Sequence, residues 1–410
     1  MKKSTLKQYA KLIVNVGANV QKNQNVVISA SVTDEYFVKY VVEECYKAKA
    51  KIVRVDWFSD EITKSTYKYA KTETLKEVPN WRVEKLKYDA EKLPASIYID
   101  SSDPDALASV DQEKIMAVRK ATSPIFKPIR DEMENKHQWT IAAIPSEKWA
   151  QKVFPNESKK NAVSKLWDAI LKCARADIGD PVKNWELHNK TLLEKCTKLN
   201  SLNIDTLIYS SKNGTNFKVR LIEGLQFLGG GSYTISGVYY NPNMPTEECF
   251  ISPNKMSAEG VVYASKPLSL NGKVVKDFGF KFHEGKIVEV YTKNEEDKKV
   301  FDQLINLDEG ASRLGEVALV PYNSPINETG LLFNNTLFDE NACCHLAIGV
   351  GFEDTIIGFE KMTKEEIKAF DINDSMIHVD FMIGTDDLSI KAITRDNKEV
   401  QIFENGTWAI

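Results

Sequence analysis

Asn25-Val-Val-Ile-Ser-Ala-Ser31 and, one helical stretch later, Lys51-Ile-Val-Arg-Val-Asp-Trp57 decide the fold class of the first half of the chain. Both are short, β-branched runs, and the apolar spacing of residues 7–22 and 36–47 reads as helix on either side of the first. Further out the alternation continues. Ser96-Ile-Tyr-Ile-Asp100 reads as a strand, residues 112–121 as a helix, and Gln138-Trp-Thr-Ile-Ala-Ala-Ile144 as another strand. Residues 146–153 and 162–176 read as further helices. Short strands separated by helices imply an α/β domain with a mostly parallel sheet. Gly and Pro then punctuate Asp177-Ile-Gly-Asp-Pro-Val-Lys183, the best candidate boundary. Beyond it, Asp205-Thr-Leu-Ile-Tyr209, Phe217-Lys-Val-Arg-Leu221, Gly260-Val-Val-Tyr-Ala-Ser265 and Phe278-Gly-Phe-Lys-Phe-His283 alternate apolar and polar residues. Turns at Lys212-Asn-Gly214, Asn271-Gly272 and Glu284-Gly285 join them, which is the pattern of an antiparallel meander. Residues 295–309 read as a helix. The expected organisation is an α/β N-terminal domain over residues 1–180, then an α+β domain over 181–410 with a largely antiparallel sheet.

Composition narrows the function. The chain has 410 residues, 42% of them hydrophobic and 27% charged, so it is long enough for two cores and globular throughout. Mean hydropathy is −0.34, and no apolar run approaches the length of a membrane span. The opening Met1-Lys-Lys-Ser-Thr-Leu leads into an amphipathic helix rather than a signal-peptide core, so the expected compartment is the cytoplasm. A net charge of −4, evenly spread, selects neither nucleic acid nor a membrane surface. The six cysteines form no CxxC pair and read as small apolar filler. GxGxxG, GxxxxGK[ST], GxSxG and HExxH are all absent, which disfavours nucleotide-binding, serine-hydrolase and zincin chemistry.

The scarce histidines carry the chemistry. Of five in the chain, His345 and His378 fall among carboxylates held in short apolar contexts. In the strand-like run Ser375-Met-Ile-His-Val-Asp-Phe-Met-Ile383, residues two apart share a face, so His378 and Asp380 point together while Val379 and Phe381 point away. His345 follows Phe338-Asp-Glu-Asn-Ala-Cys-Cys344, which reads as the start of a helix closed by Gly349 and Gly351. His283, beside the Glu284-Gly285 turn, reads as exposed. Glu316 enters a strand, Leu314-Gly-Glu-Val-Ala-Leu319, with no cationic partner nearby in sequence. Glu247 and Glu248 are adjacent, so in extended chain one faces a metal while the other stays free as a proton carrier. Each group taken alone is as well explained by a structural hydrogen bond or a surface carboxylate. Together they supply more donors than one tetrahedral ion needs, and suit a dinuclear centre.

These segments resemble the thermophilic-type metalloaminopeptidases, peptidase family M29. The resemblance is continuous from Tyr9 to about Trp408. It is carried by Asn243-Met-Pro-Thr-Glu-Glu-Cys-Phe250, Lys266-Pro-Leu268, Asp308-Glu-Gly-Ala-Ser-Arg-Leu-Gly-Glu-Val-Ala-Leu-Val-Pro321, Gly330-Leu-Leu-Phe-Asn-Asn-Thr-Leu-Phe-Asp-Glu-Asn-Ala-Cys-Cys-His345 and His378-Val-Asp-Phe-Met-Ile-Gly384. The resemblance implies a metal-dependent aminopeptidase that removes N-terminal residues from peptides with a free N-terminus. It also implies a homodimer, and two divalent ions per chain (zinc, cobalt, manganese or magnesium). Its ligands map onto one of the Glu247/Glu248 pair, Glu316, His345, His378 and Asp380. By analogy with other dinuclear aminopeptidases, Glu248 is taken as the bridging ligand. Glu247 is taken as the acid/base residue serving a metal-bound hydroxide. One departure stands out: the family commonly places a tyrosine near the metals where this chain has Phe352. That change motivates the alternative of a weakly active or non-catalytic peptide-binding member.

Overall fold

The computed structural model describes residues 1–270 and 273–410, so the turn expected at Asn271-Gly272 lies outside the described residues. The chain divides into two compact units, the first built mainly from Met1–Glu186 and Gly231–Pro245. The second is built from Leu187–Gly230, Thr246–Leu270 and Val274–Ile410.

In the first unit the four expected strands form one parallel sheet with a short fifth, Asn243–Met244, that the sequence pattern does not show. Its order is Ile52–Phe58, Asn25–Ser31, Ala95–Asp100, Trp139–Ala143 and Asn243–Met244. Val26, Ile28 and Ala30 are buried while their neighbours are half-buried, as an inner parallel strand requires. The rings of Tyr9, Phe37 and Trp167 meet within 5.7–6.3 Å of one another and fill the core beside it. Two helices differ from expectation. The first runs Lys3–Leu12 and then widens into a π turn over Ile13–Gly17 instead of continuing to residue 22. The helix expected to stop at residue 121 runs Gln112–Asp131, through Pro124 and Pro128. That helix buries only Val118, so water reaches the carbonyls that the prolines leave without a donor.

The second unit holds two antiparallel sheets that matter for the site. The larger runs Lys286–Tyr291, Gly279–His283, Glu259–Tyr263, Asn216–Arg220, Ile204–Ser210, Ser389–Thr394, Glu399–Glu404, Thr407–Trp408. The smaller orders Cys249–Ile251, Leu314–Leu319, His345–Gly349 and His378–Met382. One face of the smaller sheet belongs to the apolar core: Cys249, Ile251, Leu314, Val317, Leu319, Leu346, Ile348 and Phe381. By the pairing register, the opposite face carries Phe250, Glu316, Ala318, His345, Ala347, His378, Asp380 and Met382.

Two-residue periodicity alone would put Leu314 and Glu316 on the same face. They part because Leu314 pairs with Ile348 while Glu316 pairs with Ala347, which leaves Gly315 as an extra, bulged residue. A Cβ at Gly315 would lie 2.3 Å from the Val350 carbonyl oxygen and 2.4 Å from that of Gly349, so only glycine fits. Leu314 therefore stays in the core while Glu316 turns to the other side. Gly315→Ala is expected to destabilise the fold by about 1–3 kcal/mol or more, read as a lower urea midpoint at unchanged slope. An unshifted midpoint would show that the bulge tolerates a side chain.

Candidate metal centre

The smaller sheet sets Glu316, Ala347 and Asp380 side by side on three neighbouring strands. Adjacent strands are about 4.8 Å apart, so the two carboxylate-bearing backbones stand roughly 9–10 Å apart with only a methyl group between them. His378 lies two residues before Asp380, and His345 two before Ala347, so both imidazoles rise from this same face. Glu248 arrives from the stretch just before Cys249–Ile251. Two groups of donors result, Glu248 with Glu316 and His345, and Glu316 with His378 and Asp380. Within each group every ligand atom lies within 4.8 Å of the others, and Glu316 belongs to both.

The contacts are close. His345 Nε2 lies 3.2 Å from Glu248 Oε2, and His378 Nε2 lies 3.1 Å from Glu316 Oε2 and 3.3 Å from Asp380 Oδ1. An ion with bonds of about 2.1 Å has donor–donor edges of roughly 3.0 Å when octahedral and 3.4 Å when tetrahedral, so these spacings suit one. Each imidazole turns its other nitrogen to the main chain. His378 Nδ1 donates to the Val350 carbonyl at 2.7 Å and His345 Nδ1 to that of Cys343 at 3.4 Å. With Nδ1 committed to a main-chain carbonyl, Nε2 is the nitrogen that would ligate an ion, the arrangement that metal-binding histidines use.

Electrostatics point the same way. Glu248, Glu316, Glu340 and Asp380 bring four carboxyl groups against two imidazoles in a space that is largely closed to solvent. Burial, followed by the charges of Glu248 and Asp380, pushes the Glu316 carboxyl up despite its bond to His378. Burial alone would depress His345, but the Glu248 carboxylate, then Glu316 and Asp380, hold it well above the usual range. His378 is likewise raised against its burial, by Asp380 first and then Glu316. Asp380 is lowered because His378 outweighs its burial. Uncompensated buried carboxylates are costly, and a divalent cation is the compensation this donor set fits.

All the sequence-derived donors therefore meet in space, with one correction to their setting. His345 begins a strand, Leu346 and Ile348 facing the core and His345 and Ala347 the site. The expected helix ends early: after Thr336–Asp339 and the turn Glu340–Ala342, Cys343 is already extended (φ −163°, ψ 176°). Glu316, readable as a surface strand end, is buried. Glu247 is buried beside Glu248 but belongs to neither donor group, and its Oε2 lies 3.9 Å from His188 Nε2. His283 is exposed, as read, and bonds Glu259 at 3.2 Å. Phe352 stands at the site, its ring centroid 5.0 Å from the His378 ring and 5.4 Å from Phe250. Its backbone N–H donates to Ser252 Oγ at 2.7 Å.

Three residues escaped the sequence reading. Glu340, one short turn before His345, is raised well above the usual range by burial and then by Asp380 and Glu248. Its signal was only its place in an acidic run ahead of a histidine. Asn341 accepts from the Glu247 N–H and His188 bonds the Thr246 carbonyl, and neither carried any signal in the sequence. Asp339 of the same run has a structural role: it accepts the N–H groups of Phe333 and Asn335 at 2.8 and 3.0 Å, and burial pushes it up to about 7.

Comparison with known proteins places the chain in a metalloprotease family. The family model described as Thermophilic metalloprotease (M29) matches residues 2–408. Aminopeptidase AmpS of Bacillus subtilis is 41% identical over 405 residues, covering 98% of each chain. Aminopeptidase T of Thermus thermophilus is 36% identical over 409 residues, covering 100% of this chain and 99% of that one. The solved structure of wild-type AmpT from Thermus thermophilus superposes with a TM-score of 0.90 at 35% identity, covering the whole of both chains. The chain belongs to the thermophilic metalloprotease family, M29.

Proposed function

We infer that this protein is a metal-dependent aminopeptidase that removes N-terminal residues from peptides with a free N-terminus. The observation that carries the reading is the pair of donor groups sharing Glu316 on one sheet face. We assign two divalent ions per chain, zinc, cobalt, manganese or magnesium. Glu248, Glu316 and His345 would hold one, and Glu316, His378 and Asp380 the other. Glu316 is common to both groups, so it is a candidate to be shared by the two ions, alongside the Glu248 that the family analogy names. Bound there, the ions would supply an electrophile for the scissile carbonyl and an acidified water as nucleophile.

The chain's own residues complete the chemistry. Glu247, adjacent to the ligand Glu248 yet outside both donor groups, takes the proton from the attacking water and returns it to the leaving amine. The backbone carbonyls of Val350 and Cys343 keep the two imidazoles in the ligating tautomer. Phe352 shields His378 from solvent on one side and offers no hydroxyl to the developing oxyanion. That last feature favours a second reading, a peptide binder of low turnover. Equal metal content with no cleavage of aminoacyl-nitroanilides would select it.

A homodimer in the cytoplasm is part of the same proposal. It is supported by exposed Trp57, Ile62, Tyr69, Trp81 and Tyr88 in the first unit, where three consecutive helices bury no side chain. Six free cysteines suit a reducing compartment. No helix among the described residues is long and apolar enough to cross a membrane.

Two outcomes test the site. Chelation is expected to abolish cleavage, and Glu247→Gln to keep its metal yet lose about 100-fold or more in kcat; full turnover of the metal-free protein would refute the scheme. Ala347→Leu fills the gap between Glu316 and Asp380, so metal affinity measured by calorimetry is expected to fall at least about tenfold in a protein that still folds by circular dichroism. Undiminished affinity would place the ions elsewhere.

A further inference from the structure

A single peptide group, the one joining Thr246 to Glu247, is gripped at both ends by buried side chains from distant parts of the second unit. Its carbonyl accepts the Nε2–H of His188 at 2.7 Å, and His188 lies on the helix Pro181–Ser201. Its N–H donates to Asn341 Oδ1 at 2.7 Å, and Asn341 lies in the turn Glu340–Ala342. Asn341 is fully buried and His188 is 8% exposed, so neither bond competes with bulk water. The amide of Asn341 is itself anchored, donating to the Leu337 carbonyl at 3.1 Å and to Glu340 Oε1 at 3.3 Å. One residue on, Thr246 Oγ1 meets Glu248 Oε1 at 3.4 Å.

A peptide group bonded at both its oxygen and its hydrogen cannot rotate about its flanking bonds without breaking one of them. The direction in which the Glu247 side chain leaves the backbone is thereby constrained. Two adjacent carboxylates beside a cation would otherwise compete to ligate it, since either oxygen pair would be attracted. We propose that His188 and Asn341 are positioning residues that clamp the Thr246–Glu247 peptide, holding Glu247 off the cations and oriented for proton transfer. This rests on the assignment of Glu247 as the base. Neither residue belongs to a donor group, so the clamp acts on turnover and not on metal loading.

The test compares His188→Gln with His188→Met in the full-length protein loaded with cobalt. The two side chains have similar length and shape, and only glutamine keeps an N–H for the Thr246 carbonyl. His188→Met is expected to lose roughly 10–100-fold in kcat, the scale of a misplacement of about 1 Å, with KM within about twofold and cobalt per chain unchanged by elemental analysis. His188→Gln is expected to recover to within about threefold of the parent. Equal kcat in the two variants, or loss of cobalt from His188→Met, overturns the clamp. Glu247→Gln, measured alongside, separates the two ideas. If it retains parental turnover, the base assignment fails and the clamp falls with it. If it is inactive while His188→Met is fully active, only the clamp is overturned.

Discussion

The second unit is organised around the cost of placing carboxylates on a buried sheet face. Glu316 and Asp380 occupy inner and outer strands of a sheet whose other side is continuous apolar core. An antiparallel sheet normally solves this by exposing its polar face. Here the polar face is covered as well, and Glu248, His345 and Glu340 converge over it. No arrangement of two imidazoles neutralises that many carboxyl groups. The fold thus either holds some of these carboxyl groups protonated or admits a cation at one spot, and the details of the site suit the second.

Two such details are absences of side chain. Ala347 keeps the middle of the Glu316–Ala347–Asp380 row low, and the bulge at Gly315 turns Glu316 into that row at all. The cost of the bulge is confined to one residue, because Val317 and Leu319 resume core positions immediately after it. The histidines need no such device. His378 reaches the face by simple alternation with Asp380, and its Nδ1 finds the Val350 carbonyl in the loop that follows the neighbouring strand.

How much of this was legible in the sequence depends on how local each signal is. The parallel sheet of the first unit was readable because β-branched runs and helical spacing alternate within a few tens of residues. His378 and Asp380 were readable as a pair for the same reason, since a two-residue period is a local property. The run from Phe338 to Cys344 has the composition of a helix start, but it holds only the end of the helix Thr336–Asp339 and the turn Glu340–Ala342. What ended it is Cys343, whose extended backbone lets Leu346 and Ile348 reach the core. The facing of Glu316 was not derivable: strict alternation pairs it with Leu314, and only the neighbouring strand reveals the inserted glycine. His188 lay furthest from reach, for its partner is 58 residues away and its own helix gives no hint of it. The five residues named through the family resemblance come together in space, and only the folded structure shows that Glu316 occurs in both donor groups.

Gly349 extends this logic to positions without chemistry. It pairs with His378 at a φ of 105°, and a Cβ there would lie 2.0 Å from the carbonyl oxygen of Ile377, the residue just before that histidine. With Gly315 on the adjacent strand, it makes a seam where main chain rests on main chain. A saturation screen for inactive variants would thus recover two kinds of sites: those that lose a functional group, and those that gain a methyl. Tolerance to substitution in this protein is limited by where the backbone has no room, as much as by which atoms react.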